Sequence, residues 1–104
     1  MQLNYKKLGE NGSPILILHG LLGSLDNWHT IAKQLALSHQ VYILDQRNHG
    51  RSPHTKEINY ELLAQDVFDF CTQHELHSIN LIGHSMGGKV AMLFALLYPT
   101  LVNK

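Results

Sequence analysis

Apolar positions follow two rhythms along this sequence, and the two rhythms alternate. Short, nearly unbroken apolar runs stand at Ile15 to Leu18, Gln40 to Leu44 and Ile79 to Ile82. Runs of this kind suit strands covered on both faces, as in a parallel sheet. Between them apolar residues recur at helical spacing. Trp28, Ile31, Ala32 and Leu35 predict a helix from about Leu25 to Leu37, with Ser24 as its cap. Tyr60, Leu63, Ala64, Val67 and Cys71 predict an amphipathic helix from Tyr60 to His74, capped by Asn59. A last helix runs from Met86 to about Tyr98 and is stopped by Pro99. At the start of the chain, Leu3 to Leu8 alternates as an edge strand does, and Gly9-Glu10-Asn11-Gly12-Ser13-Pro14 is a turn. Strand and helix therefore take turns, which predicts an α/β fold with a parallel sheet and right-handed crossovers.

Composition narrows this little further. The chain has 104 residues, 44% of them hydrophobic, which is enough for one core and too few for two domains. Lysine plus arginine equals aspartate plus glutamate, 8 against 8, so no surplus charge draws nucleic acid or an anionic membrane. No apolar stretch approaches the roughly 18 residues of a membrane span, and Met1 to Glu10 lacks a signal-peptide pattern, so a cytoplasmic location is the default expectation. The single cysteine, Cys71, lies in a helical pattern and reads as a small core residue. The eight histidines show no metal spacing.

Chemistry concentrates at the third apolar run. Ile79 to Ile82 is followed by Gly83-His84-Ser85-Met86-Gly87-Gly88 and then by a helix. A Gly-x-Ser-x-Gly bracket between strand and helix is a nucleophile elbow, in which a strained turn lifts a serine hydroxyl above the sheet. Attack on an acyl carbon also needs donors for the oxyanion that forms and a base to take the proton. The Met86 N-H, at the start of the last helix, is one donor. Leu21 N-H, in the His19-Gly20-Leu21-Leu22-Gly23 loop after a buried strand, is the choice for the second. His19, His49 and His84 read as loop-ordering or pocket-lining groups rather than bases. Asp45, Arg47 and Ser52 read as residues that fix a turn, and Trp28 as core or pocket wall. A phosphate loop is excluded, because neither Gly-x-x-x-x-Gly-Lys-Ser/Thr nor Gly-x-Gly-x-x-Gly occurs.

Together the His19 to Ser24 loop, Asp45-x-Arg47-x-x-Gly50-x-Ser52 and the Gly83 to Gly88 elbow resemble, in order and spacing, the N-terminal part of the α/β-hydrolase superfamily. The likeness is strongest to its small acyl esterases and thioesterases. It implies a three-layer α/β sandwich, here a single partial domain over residues 1–104 that is incomplete after the helix following the elbow, with Ala95 to Lys104 as the lead-in to a further strand. It also implies an acyl-enzyme at Ser85, Leu21 and Met86 as backbone oxyanion donors, and His19, Gly20, Gly83, His84, Gly87 and Gly88 as supporting residues. The implied substrate is a small acyl ester or thioester, with no metal or organic cofactor. The family's acid and histidine follow the serine, whereas none of the nineteen residues after Ser85 is Asp, Glu or His. The expectation is therefore a serine hydrolase inactive as these 104 residues. The alternative is a non-catalytic module whose Ile79 to Ile82 strand leaves an unpaired sheet edge and self-associates or binds a partner.

Overall fold

The computed structural model of the protein describes residues 2–104. Four strands, β1 (Tyr5–Leu8), β2 (Pro14–Leu18), β3 (Gln40–Leu44) and β4 (Asn80–Gly83), form one sheet in the order β1-β3-β2-β4. Three helices accompany them: α1 (His29–Leu35), α2 (Tyr60–Gln73) and α3 (Met86–Leu97). β2, β3 and β4 are parallel, with Ile17 opposite Ile43 on one side and Ile82 on the other. The expected parallel sheet is corrected at one edge, where β1 runs antiparallel to β3. The short turn after β1 reverses the chain. Its Gly9 and Gly12 take φ of +83° and +87°, and a Cβ on either would collide with the backbone carbonyls of His39 and Ser38.

The unbroken apolar runs are explained by what covers the two central strands. Ile15, Ile17, Val41 and Ile43 face one way and pack with Leu25 and Ala32. Leu16, Leu18, Tyr42 and Leu44 face the other way and meet Leu63, Ala64, Val67 and Phe70 of α2 and Val90 and Phe94 of α3. Residue alternation along a strand thus builds a three-layer sandwich from runs that are apolar on both faces. Cys71 lies in the larger cluster, where burial pushes its thiol up to about 11.

Several boundaries differ from the sequence expectation. Leu25–Trp28 forms a 3-10 turn and only His29–Leu35 is α-helical; Ala32 enters the core while Ile31 faces outward. Tyr60 likewise lies outside the buried face of α2, although Asn59 caps that helix by accepting from Leu62 N-H at 2.7 Å. Ile79 is fully buried, but Asn80, Leu81 and Ile82 are only half-buried. Most consequentially, the outer edge of β4 is not bare. Ile79 N-H donates to Leu101 O at 2.8 Å, Asn103 N-H to Ile79 O at 2.7 Å and Leu81 N-H to Lys104 O at 2.7 Å, and Ile79 bridges Val102 in parallel. An extended segment after α3 therefore pairs with β4, which corrects the expectation of an unpaired edge there. Among the described residues no helix is long and apolar enough to cross a membrane, and no cluster of three His, Cys, Asp or Glu side chains is placed to hold a metal ion.

Candidate active site

β4 delivers the chain to Ser85 at the carboxyl end of the parallel strands, where open α/β sheets place their ligands. Ser85 is exposed, and its backbone sits at φ +54°, ψ −112°, outside the wells that residues with a Cβ normally occupy. Such a conformation costs of order 1–3 kcal/mol and persists only where the surroundings impose it. The surroundings are backbone packed on backbone. A Cβ at Gly83 would run into the Gly87 carbonyl, and one at Gly87 would meet the carbonyls of Leu18 and His19. The first turn of α3 therefore lies directly on the ends of β2 and β4. Gly88 is different: the nearest atom to a Cβ there is 3.4 Å away, an ordinary contact.

The His19–Gly20 segment lies against the elbow from β2. A Cβ on Gly20 would fall 2.9 Å from His84 Nδ1 and 3.4 Å from Ser85 Cβ. The Gly20 carbonyl accepts from Gly23 N-H at 3.0 Å and pairs with His19 Nδ1 at 2.8 Å. His19 Nε2 accepts from Gln46 N-H at 2.9 Å, so the proton of a neutral ring sits on Nδ1 and that nitrogen donates to Gly20 O. Burial of this fully enclosed ring lowers its pKa below the usual 6.5, opposed by the Gly20 bond and reinforced by nearby His49. A trans peptide points its C=O and N-H in opposite directions. Two bonds on Gly20 O consequently fix the direction of Leu21 N-H. Neither Leu21 N-H nor Met86 N-H has a hydrogen-bond acceptor among the described residues.

Sequence reasoning missed Gln46. Its side chain is buried and donates from Nε2 to His19 O at 2.7 Å, so it holds His19 at both backbone and ring. Its Oε1 is buried without a partner, at a cost of about 1–3 kcal/mol. Nothing local in a polar loop marks a bond to a residue 27 positions away.

The loop after β3 is a scaffold. The Asp45 carboxylate is buried and accepts from Leu25 N-H at 2.7 Å, Asn4 Nδ2 at 2.8 Å and Arg51 N-H at 3.0 Å. Gly50, at φ +52°, leaves room for that carboxylate where a Cβ would collide with it. Arg47 forks onto both oxygens of Asp66 in α2 at 2.9 Å, and this pairing holds its guanidinium pKa above the usual value. Ser52 Oγ donates to Asp45 O and accepts from Asn4 N-H at 2.8 Å. These three residues tie β1, the 3-10 turn and α2 together and do not reach Ser85.

Beside the elbow lies a cleft of about 240 Å³ lined by Gly20, Leu21, Gly23, Asn27, Trp28, Ile31 and His84. The exposed His84 ring sits 5.8 Å from the Trp28 ring, centroid to centroid.

A family model described as alpha/beta hydrolase fold matches residues 13–104. The chain is 48% identical over 92 residues to ethanol acetyltransferase 1 of Wickerhamomyces anomalus, with 86% of this chain and 24% of that protein covered. It is 42% identical over 94 residues to esterase YbfF of Escherichia coli, with 90% and 37% covered. The solved structure of a marine microorganism esterase superposes with a TM-score of 0.98 at 52% identity, over 99% of this chain and 40% of that one. The chain spans about a third of the length of the curated relatives it matches.

Proposed function

This chain belongs to the alpha/beta hydrolase fold family, and from that premise we propose that Ser85 is the nucleophile of an acyl-transferring serine hydrolase acting on carboxylic esters or thioesters. The observation that carries the proposal is at the elbow: an exposed serine on strained backbone, packed against the His19–Gly20 segment, with the N-H groups that follow Gly20 and Ser85 lacking an acceptor among the described residues. Ser85 Oγ would attack the acyl carbon and lose its proton to a base. The carbonyl oxygen becomes an oxyanion held by Leu21 and Met86 N-H, the latter strengthened by the dipole of α3. Collapse breaks the bond to the alkoxide or thiolate, which leaves with a proton, and the acyl group stays on Ser85. Water then releases an acid. An alcohol in its place would give a new ester, and one relative carries the name ethanol acetyltransferase.

His19 cannot serve as the base, because both its nitrogens are engaged in holding the loop. No Asp, Glu or His follows Ser85 in these 104 residues, and the base is proposed to come from outside them. The test is a fluorophosphonate probe on this chain and on a reading frame extended past Lys104. Labelling that is slow here, fast in the longer form and abolished by Ser85→Ala supports the reading. Equal labelling of Ser85→Ala would overturn it.

A second reading is favoured by one observation. Met92, Leu96 and Leu97 of α3 are 64%, 79% and 50% exposed, an apolar strip next to the β4 side of the sheet. It supports a module that self-associates through α3, whether or not Ser85 is active.

A further inference from the structure

We propose that Gln46 is a positioning residue of this site: its side-chain amide and its backbone N-H together set the direction of Leu21 N-H. This rests on Ser85 as the acyl acceptor. The need for such a residue comes from Gly20. A Cβ there would fall 2.9 Å from His84 Nδ1, so the close approach of the loop to the elbow calls for glycine. Glycine also leaves the backbone freer than any other residue, so the peptide planes on either side of it have to be held from outside. Gln46 reaches both planes. Its Nε2 donates to His19 O at 2.7 Å and fixes the plane between His19 and Gly20. Its backbone N-H donates to His19 Nε2 at 2.9 Å, which leaves the ring proton on Nδ1, and Nδ1 donates at 2.8 Å to Gly20 O, in the plane that carries Leu21 N-H. The His19 carbonyl is also packed against α3, where a Cβ on Gly87 would fall 2.6 Å from its oxygen. Gln46 thus bonds to the carbonyl at which the loop and the first turn of α3 meet.

The unused half of the amide separates positioning from packing. Gln46 and His19 are 2% and 0% exposed, and Gln46 Oε1 has no partner among the described residues. A buried acceptor without a donor opposes folding, and an apolar side chain of similar length would remove it. What such a side chain gives up is the donor, since no backbone N-H among the described residues bonds His19 O in its place. Methionine at this position therefore rids the fold of one orphaned oxygen and creates another at His19. The two effects are of one kind and nearly cancel in stability. They do not cancel in the loop, because only His19 O belongs to the segment that carries Leu21.

Gln46→Met is compared with Arg47→Met, a change in the same loop whose ion pair with Asp66 does not reach Ser85. In the 104-residue chain labelled with nitrogen-15, Gln46→Met should leave the urea midpoint nearly unchanged while the Leu21 N-H order parameter falls from about 0.85 to below about 0.6. Fluorophosphonate labelling of Ser85 should slow about 10-fold to 100-fold, the scale of a misplaced catalytic group. Arg47→Met should do the opposite, lowering the midpoint and leaving the Leu21 amide and the labelling rate as they are in the native chain. An unmoved Leu21 amide in Gln46→Met, equal loosening in Arg47→Met, or an unchanged labelling rate in Gln46→Met overturns the proposal. If Gln46→Met does not fold, the native chain decides. A scalar coupling between Gln46 Nε2 and the His19 carbonyl carbon, with a rigid side-chain amide, supports the assignment; no coupling and an amide as mobile as that of an exposed glutamine overturns it. Ser85→Ala is labelled alongside. Equal labelling there defeats the acyl-acceptor reading, while the Leu21 order parameters still decide for or against Gln46.

Discussion

At the scale of single residues, the site is held by strain and by one neutral histidine. Ser85 occupies a conformation that glycine adopts without penalty, so Ser85→Gly should raise the urea midpoint or melting temperature. The expected gain is about 1 kcal/mol, strain relief of roughly 1–3 kcal/mol less the glycine entropy cost of roughly 0.5–1 kcal/mol. Ser85→Ala keeps the strain and should leave stability nearly unchanged, while both variants lose probe labelling. His19 gives a pH dependence of fixed sign. Its folded pKa lies below 6.5 because burial disfavours the charged ring, so above about pH 6.5 its contribution to stability is fully present. As pH falls below that value the unfolded chain binds a proton that the folded chain resists, and stability declines. Protonation of the folded ring, below its lowered pKa, removes the acceptor for Gln46 N-H while the Nδ1-H bond to Gly20 O remains. His74, lowered by burial and by Lys7, adds to the decline with the same sign. Urea midpoints from pH 7.5 down to about 5 should fall for the native protein and fall less for His19→Gln; parallel curves would refute the assignment.

At the scale of elements, α3 and the loop after β3 make opposite demands on neighbouring positions. Gly87→Ala would drive a methyl into the Leu18 and His19 carbonyls and should unfold the elbow or destabilise the protein by several kcal/mol. Gly88→Ala meets only ordinary contacts in the first turn of the same helix, and should stabilise by about 0.5–1 kcal/mol through helix propensity. Chemical denaturation of the pair separates a steric role from a merely recurrent glycine, since the sequence presents both as members of one motif. Arg47→Met leaves the buried Asp66 carboxylate unpaired and should cost about 3–5 kcal/mol, measurable as a fall in the urea midpoint, although neither residue approaches Ser85. What the sequence disclosed at this scale follows from how local each cause is. β2 and β3 were legible because both faces are covered and Ile15 to Leu18 and Val41 to Leu44 are apolar throughout. Gly83 was legible because the clash it avoids, with the Gly87 carbonyl, lies only four residues on, whereas the clash that Gly87 avoids, with the carbonyls of Leu18 and His19, is long-range. The helix expected from Leu25 was misjudged because its first turn is set by Asp45 Oδ1 accepting from Leu25 N-H, a bond across twenty residues that leaves no periodic trace. Gln46 escaped for the same reason.

At the scale of the whole molecule, the two sides of the sheet are finished differently. On the β1 side the edge strand carries Lys6 and Lys7, charges that discourage edge-to-edge pairing. On the β4 side the residues from Leu101 to Lys104 pair with β4, in a register set by Ile79 and Leu81. That added segment shields β4, so contact between copies through a bare β4 edge loses its main attraction. The apolar strip on α3 keeps its own. Met92 and Leu96, four apart, stand on one face of the helix, and Leu97 widens the strip. Exposed apolar surface of this kind gains roughly 25 cal/mol for each Å² removed from water, which favours association if two copies can cover it together. Sedimentation velocity across a hundredfold range of concentration should then show self-association of the 104-residue chain, weakened in Met92→Glu/Leu96→Lys and unaffected by Ser85→Ala. Both substituted side chains are outside the core clusters, so the double variant should retain its far-ultraviolet dichroism. A native chain that stays monomeric throughout would remove the support for the self-associating module and leave the serine elbow as the feature with a function to explain.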